Sequence, residues 1–558
     1  MPSARVDRPP AGRRRLLRSC AVASAVAASA LLSAVLPGSV ALADEAAGAT
    51  VVGELVQAWP ETGEHGAEEA HEPVSWVETA DGEAVPVVTG DVDGVPAGST
   101  VSVTVGGQVD AGDSGEAHEV LDSEVIETPQ VLPAPAGPVS NQVTVVMVAP
   151  AGTPAGSRTA LQQVVDLVDG PVAEFWAGET RGAVRLAVTA AHDWITTAAG
   201  CGTAAQLWNE AAAKVGFVAG PGKHLLLYVP PTAPGCAYAL AEVGSSLTSG
   251  GRLYVRDTAA SVIAHELGHN FGLAHSSGLQ CDGGADAGAC RTTGYRDYYD
   301  VMGASWAELG SLNVLQAAQL GVLPAQQTSR VPVTAAPTTV TLAPVSGRDG
   351  VRALNLVDGD GVAYWLEYRP AAARDAWLGS AGNRFGLEAG VLLRRAERFP
   401  DTSLLLDATP GPAAGWDDDF QASLPVGASV SLSGGDFTVV VRSTSAAGAQ
   451  VEVVPSGVST PGPAALAGAG SVPPGATLPG EAGTAVTAPA AAAAEAPAAD
   501  GASTLTRPDA VRAEPATASQ HSPVESGTAT TFLVLGAGCA LAGTLLVAVR
   551  TLRRRFAR

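Results

Sequence analysis

Residues His265 to His275 read HELGHNFGLAH and hold three of the nine histidines in the chain. Residues four apart on an α-helix lie on the same face, so His265 and His269 are predicted to project side by side and to bind one metal ion. Glu266 follows His265 directly and is predicted to lie beside that metal, where a water molecule would sit. The spacing therefore predicts a metal site with its own general base.

The second half of the stretch predicts a third ligand. The helix is predicted to start with Asp257 or Thr258 as its N-cap and to end at Gly272, because glycine tolerates the positive φ that ends helices. The chain can then turn under the metal, so that His275 approaches from another direction. Three imidazole nitrogens and one water form the open tetrahedral site of a catalytic Zn²⁺.

The full pattern, H-E-x-x-H-x-x-G-x-x-H, is the zinc signature of the metzincin metallopeptidases, which the chain resembles from residue 141 to about residue 325. Metzincins also have a methionine-containing turn downstream, and the segment YYDVMG offers Met302 for it. The stretch "DVMG" after the histidines is most similar to the gametolysin-type members, which are secreted endopeptidases. The resemblance implies a cleft between an upper α/β subdomain and a lower irregular one, with the flanking β regions as accessory domains.

The chain departs from some metzincins in two ways. Astacin-like and serralysin-like members place a tyrosine ligand two residues after the methionine, where this chain has Ala304. Matrix metalloproteinases are kept latent by a prodomain cysteine, and residues 44–140 contain no cysteine. If this region is a propeptide, it must inhibit through another group, such as a carboxylate. A permanent N-terminal β domain is an equal alternative.

Composition and patterning divide the chain into seven segments. The signal peptide is predicted from a basic region, an apolar run and the A-x-A site at Ala41–Ala43. The C-terminal span is predicted from an uncharged run that ends at Arg550, and the arginines after it are expected in the cytoplasm. The predicted segments are 1–43 signal peptide, 44–140 acidic β-rich region, 141–325 metzincin-like α/β peptidase domain, 326–455 β-rich sandwich or barrel-like domain, 456–527 disordered Ala/Pro/Gly-rich stalk, 528–549 transmembrane helix and 550–558 basic tail.

Four cysteines remain once those in the signal and the span are set aside: Cys201, Cys236, Cys281 and Cys290. An even number in an exported protein predicts two disulfides. Three pairings exist, and sequence proximity favours Cys201–Cys236 and Cys281–Cys290.

The net charge of −23 argues against nucleic acid as a partner, because phosphate contacts need Lys and Arg. The acidic stretches 358–361 (DGDG) and 417–419 (DDD) are weak candidates for Ca²⁺. They lack the EF-hand spacing and its final Glu, so ordinary turns and solvated loops are the favoured interpretation.

These features predict an exported zinc endopeptidase that cleaves extracellular or cell-surface proteins and is anchored in the membrane by its C-terminal helix. In the predicted reaction, zinc lowers the pKa of a water toward about 7. Glu266 takes a proton from that water and passes it to the leaving amine. The alternatives are a surface adhesin that uses the metzincin domain as a scaffold, and a zinc hydrolase that acts on a non-peptide bond. The intact Glu266 favours the enzyme.

Overall fold

The computed structural model describes residues 48–61, 73–112, 115–129, 137–154, 159–305, 308–397, 401–409 and 413–457. The predicted signal peptide, membrane span and basic tail, and all but the first two residues of the predicted stalk, lie outside these residues. Within the described part, no helix is long and apolar enough to cross a membrane.

A closed ring of five strands forms the N-terminal region. Val101, Val103 and Val105 alternate with polar residues, as the VSVTV pattern predicts, and their buried side chains share an apolar interior with Leu55 and Val77. The first strand pairs with both the second and the fourth, which closes the ring. The strands are β1 (Ala49–Pro60), β2 (Val74–Thr79), β3 (Ala84–Val87), β4 (Thr100–Asp110) and β5 (Glu116–Glu127).

The next region is the predicted α/β layer, with four parallel strands and one antiparallel strand. The sheet order is β9-β10-β8-β6-β7, and only β9 runs against its neighbour β10. The strands are β6 (Val139–Ala149), β7 (Val184–Thr196), β8 (Lys223–Tyr228), β9 (Ala239–Glu242) and β10 (Gly251–Val255). The helices are α1 (Leu161–Leu167), α2 (Ala173–Glu179), α3 (Ala204–Val215) and α4 (Ala260–Asn270).

The C-terminal region is a two-sheet sandwich. Residues from both sheets, including Leu366 and Val391 of one and Phe437 and Val451 of the other, share one apolar core. The first sheet has the order β12-β11-β18-β17-β16-β15-β13 and the second β14-β21-β20-β19. The elements are β11 (His275–Cys281), β12 (Cys290–Thr293), α5 (Val314–Gln319), β13 (Thr328–Pro332), β14 (Thr338–Leu342), β15 (Ala353–Val357), β16 (Ala363–Arg369), β17 (Gly390–Ala396), β18 (Asp401–Leu406), β19 (Ser429–Leu432), β20 (Phe437–Ser445) and β21 (Gly448–Pro455).

Hydrogen-bonded sheets run across both domain boundaries predicted around the peptidase region. On the N-terminal side, the end of β1 pairs with β9, and this pairing joins the five-stranded ring to the α/β sheet. On the C-terminal side, β11 pairs in parallel with β18, so the strand that begins at His275 belongs to the sandwich. Both flanking regions are therefore hydrogen-bonded to strands of the predicted peptidase region.

Candidate metal centre

Helix α4 carries the first two histidines. It begins one residue after its N-cap, Ala259, so the predicted cap at Asp257 or Thr258 is wrong. Asp257 Oδ1 accepts instead from the amides of Thr258 and Ala259, at 2.5 and 3.1 Å, before the helix begins. His269 is fully buried and His265 nearly so.

The chain reverses after α4 at Gly272, which has the predicted positive φ, +92°. A Cβ at this position would lie 3.0 Å from the carbonyl oxygen of Gly244 and 3.1 Å from the carbonyl carbon of Ser245. Both the backbone conformation and the lack of space therefore require glycine. The turn leads directly into His275, which starts β11 and is buried.

Backbone carbonyls orient the two helical imidazoles. The Nδ1 of His265 donates to the carbonyl oxygen of Val301 at 2.6 Å, and the Nδ1 of His269 donates to that of Leu273 at 2.8 Å. A hydrogen on Nδ1 leaves the Nε2 lone pair free for a metal, which is the usual arrangement for metal-binding histidines. Burial lowers the pKa of His275 to about 3, so its imidazole is neutral and can also bind a metal.

The Nε2 atoms of His265, His269 and His275 converge on one carboxylate oxygen, Oε1 of Glu61, at 3.3, 3.3 and 3.1 Å. All four atoms lie within 4.8 Å of one another. Ligands at the vertices of a tetrahedron around zinc, with bonds of about 2.0–2.1 Å, are about 3.3 Å apart. The three oxygen-to-nitrogen distances match this spacing, and the four atoms form a candidate site for one zinc ion.

Glu266 is fully buried beside this cluster. Neither of its carboxylate oxygens has a hydrogen-bond partner among the described residues. Burial, reinforced by the nearby charge of Glu61, raises the pKa of Glu266 well above its usual range. A buried carboxylate without a partner next to a metal site fits a base that accepts a proton from water.

Met302 lies under the helix, as the metzincin resemblance implies. It is fully buried, and a Cβ added to Gly268 of α4 would come within 2.3 Å of its sulfur. The carbonyl of Met302 accepts from the amide of Ser276, the residue after the third histidine, at 2.9 Å. Asp300 supports the turn, because its carboxylate accepts from the amides of Met302 and Asn313 at 2.9 and 2.7 Å.

Two aromatic side chains, which sequence reasoning did not select, cover the third histidine. The rings of Trp59 and Tyr295 lie 4.2 and 4.1 Å from the ring of His275, centroid to centroid. Tyr295 has a φ of 59°, an uncommon value for a residue other than glycine. Burial and the charge of Glu61 raise the pKa of the Tyr295 hydroxyl well above its usual range. Ala304, at the position where astacin-like and serralysin-like metzincins have a tyrosine ligand, packs against Trp59 and Tyr295.

The four predicted cysteines form two disulfides, Cys201–Cys236 and Cys281–Cys290. The second connects β11 to β12 six residues beyond His275, and so fixes the strand that carries this ligand.

The candidate calcium loops gain no support. Glu61 and the three histidines form the only group of potential metal ligands found in the described residues. Asp358 instead closes a turn by accepting from the amides of Asp360 and Val362 at 3.0 and 2.8 Å. Asp417 pairs with Arg291.

Three convergent imidazoles with an adjacent buried carboxylate define the site of a zinc-dependent hydrolase. A family model described as Metallo-peptidase family M12B, Reprolysin-like, matches residues 187–276, a stretch that contains all three histidines and Glu266. A search of curated proteins found no significant match. The chain is a zinc metallopeptidase.

Proposed function

We propose that the chain is an exported, surface-anchored endopeptidase that cleaves peptide bonds of extracellular proteins, and that it is most similar to the gametolysin-type metzincins. The observation that supports this proposal best is the convergence of three buried imidazoles beside the unpartnered carboxylate of Glu266. A protein that used this domain only as a scaffold would have no need of a buried carboxylate without a partner, which is costly to keep.

A bound zinc ion would lower the pKa of a water toward about 7 and polarise the peptide carbonyl. Glu266 accepts the proton of the attacking water and delivers it to the leaving amine. Val301 and Leu273 hold the imidazoles in place through their carbonyls, so the site does not have to reorganise during the reaction.

The location outside the cell is supported by the sequence of the N-terminal leader, by the uncharged run 528–549 and by the two disulfides. Protease treatment of intact cells tests it directly. An exported, anchored chain loses its catalytic domain from the cell surface, whereas an internal chain is protected until the cells are lysed.

The enzymatic part of the proposal is tested with the purified chain and a peptide library, with and without a chelator. We expect internal bonds to be cleaved, and cleavage to stop when the chelator removes the metal. Glu266→Ala is expected to keep the zinc and to lose proteolysis by a factor of about 10²–10⁴, the usual contribution of a general base. Undiminished cleavage by Glu266→Ala would reject the role of this residue.

A further inference from the structure

The carboxylate on which the three histidines converge, that of Glu61, comes from outside the predicted peptidase region. Glu61 is the first residue after β1, the strand that the N-terminal ring shares with the α/β sheet. Its side chain is buried, and its Oε1 is nearly equidistant from the three Nε2 atoms. It therefore lies at the fourth vertex of the tetrahedron, which a catalytic zinc site leaves open for water.

The backbone next to Glu61 lies along the edge of the sheet beside the site. Ala58, Trp59 and Pro60 pair in antiparallel fashion with residues 240–242 of β9. The amide of Glu61 donates to the carbonyl of Ala239 at 2.8 Å, and its carbonyl accepts from the amide of Tyr238 at 2.9 Å. An extended peptide that adds to a sheet edge makes the same main-chain hydrogen bonds. Residues 58–61 thus occupy the edge at which a peptide would pair beside the metal.

Two further contacts hold this segment in place. The buried indole of Trp59 packs edge-to-face on His275 and lies against Tyr295 and Ala304. On the other side of β1, Arg252 of the α/β sheet binds Glu78 of β2 and also Glu242 of β9, with an Nε–Oε1 distance of 2.6 Å to the latter. The ring is therefore attached to the peptidase region by a strand pairing, a buried aromatic ring and an ion pair.

We propose that Glu61 is a zinc ligand that keeps the peptidase at a low basal activity, and that residues 58–61 block the edge of β9 until the N-terminal ring is displaced. This low activity is what latency means for this chain. In this form Glu61 takes the position of the water from which Glu266 would accept a proton. The acidic N-terminal region is then an inhibitory module that acts through a carboxylate. The proposal rests on the proposed function, because latency has meaning only for an active peptidase.

The test compares three forms of the full chain: the unaltered protein, Glu61→Gln and Glu124→Gln. Glu124 is an exposed acid of β5 in the same ring, so its substitution makes the same chemical change away from the metal. Each form is loaded with Co²⁺ in place of zinc, and its visible absorption spectrum is recorded. The rate at which a chelator removes zinc and the rate of cleavage of a peptide library are measured in parallel.

We expect Glu61→Gln to change the cobalt spectrum, to release zinc to the chelator at least about tenfold faster and to cleave peptides faster than the unaltered chain. Glu124→Gln should match the unaltered chain in all three measurements. A fourth form, Trp59→Ala combined with Glu61→Gln, should raise cleavage further, because it removes a second anchor of the blocking segment. Unchanged cobalt spectra and zinc release in Glu61→Gln would overturn the proposal, even if the chain were an active peptidase.

The two proposals fail in different ways. If the cobalt spectrum changes but no form cleaves any peptide, Glu61 is a ligand and the proposed peptidase function fails, and latency fails with it. If all three forms cleave equally fast, the function stands and the latency is refuted.

Discussion

Arg394 belongs to a charge cluster buried beneath the methionine turn, and its replacement by methionine tests how far that cluster supports the site. The guanidinium has no exposed surface and binds Asp297, with Glu367 at 3.3 Å. A second buried arginine, Arg369, binds the same Glu367 at 2.8 Å and Asp375 at 3.0 Å. Asp300 lies close enough to raise the pKa of both arginines. The two arginines are therefore surrounded by four carboxyl groups.

The Arg394→Met change leaves buried carboxylates without their partner. Removing one member of a buried ion pair costs about 3–5 kcal/mol, because the remaining charge stays desolvated. That is a large part of the about 5–15 kcal/mol by which a typical native protein is stable. We expect a loss of this size in the apparent free energy of unfolding, measured by urea denaturation at pH 7.

The matched control is Arg395→Met, one residue further along β17. Arg395 lies 3.7 Å from Glu397, and both side chains are partly exposed, so this surface pair contributes at most about 1 kcal/mol. The loss of unfolding free energy in Arg394→Met should be smaller at pH 5 than at pH 7, because protonation removes the charge of carboxylates left without a partner. Burial and Asp297 already raise the pKa of Asp300 to about 6. A loss below about 1 kcal/mol, equal to that of the control, would refute the reasoning.

Two other predictions concern the backbone and a buried histidine. Gly272→Ala should weaken zinc binding at least about tenfold in a chelator competition, because the added Cβ strains the turn that delivers His275, and unchanged affinity would contradict this. His224 lies between Asn141 and Asn270, and burial lowers its pKa from 6.5 to about 4. The unfolded chain therefore binds the proton more tightly, so between pH 6.5 and pH 4 stability falls with falling pH, by up to about 3 kcal/mol from this group. His224→Gln should flatten that part of the urea-unfolding pH profile, and an unchanged slope would refute the assignment.

Local patterns predicted the elements well. Helix α3 lies at Ala204–Val215, where the sequence pattern indicates a helix, and strand β14 lies at Thr338–Leu342, where the pattern indicates a strand. The reason is that hydrophobic periodicity and glycine positions act over a few residues. The three histidine ligands could be predicted from the sequence for the same reason, since two of them lie on one helix and the third follows a required glycine.

The position of Glu61, the buried charge cluster and the shared sheets depend on pairing between distant segments, which no local sequence pattern predicts. Glu61 lies 204 residues before His265, and in the sequence it is one of 20 acids between Asp44 and Ser157. The acidic composition suggested a carboxylate but could not select one. Likewise, the buried Arg369 and Arg394 look like ordinary strand residues until the pairing of β16 with β17 brings them together. The sheets that run across the predicted domain boundaries could not be predicted either, because they also arise from pairing between distant strands.

The central claim is that three histidines hold one catalytic zinc while Glu266 moves the proton. The most direct measurement determines zinc content and peptide cleavage together for Glu61→Gln and for Glu61→Gln combined with Glu266→Gln. The account predicts one zinc per chain in both, with cleavage in the double variant lower by about 10²–10⁴. Loss of zinc from the double variant, or equal cleavage by the two, would contradict it.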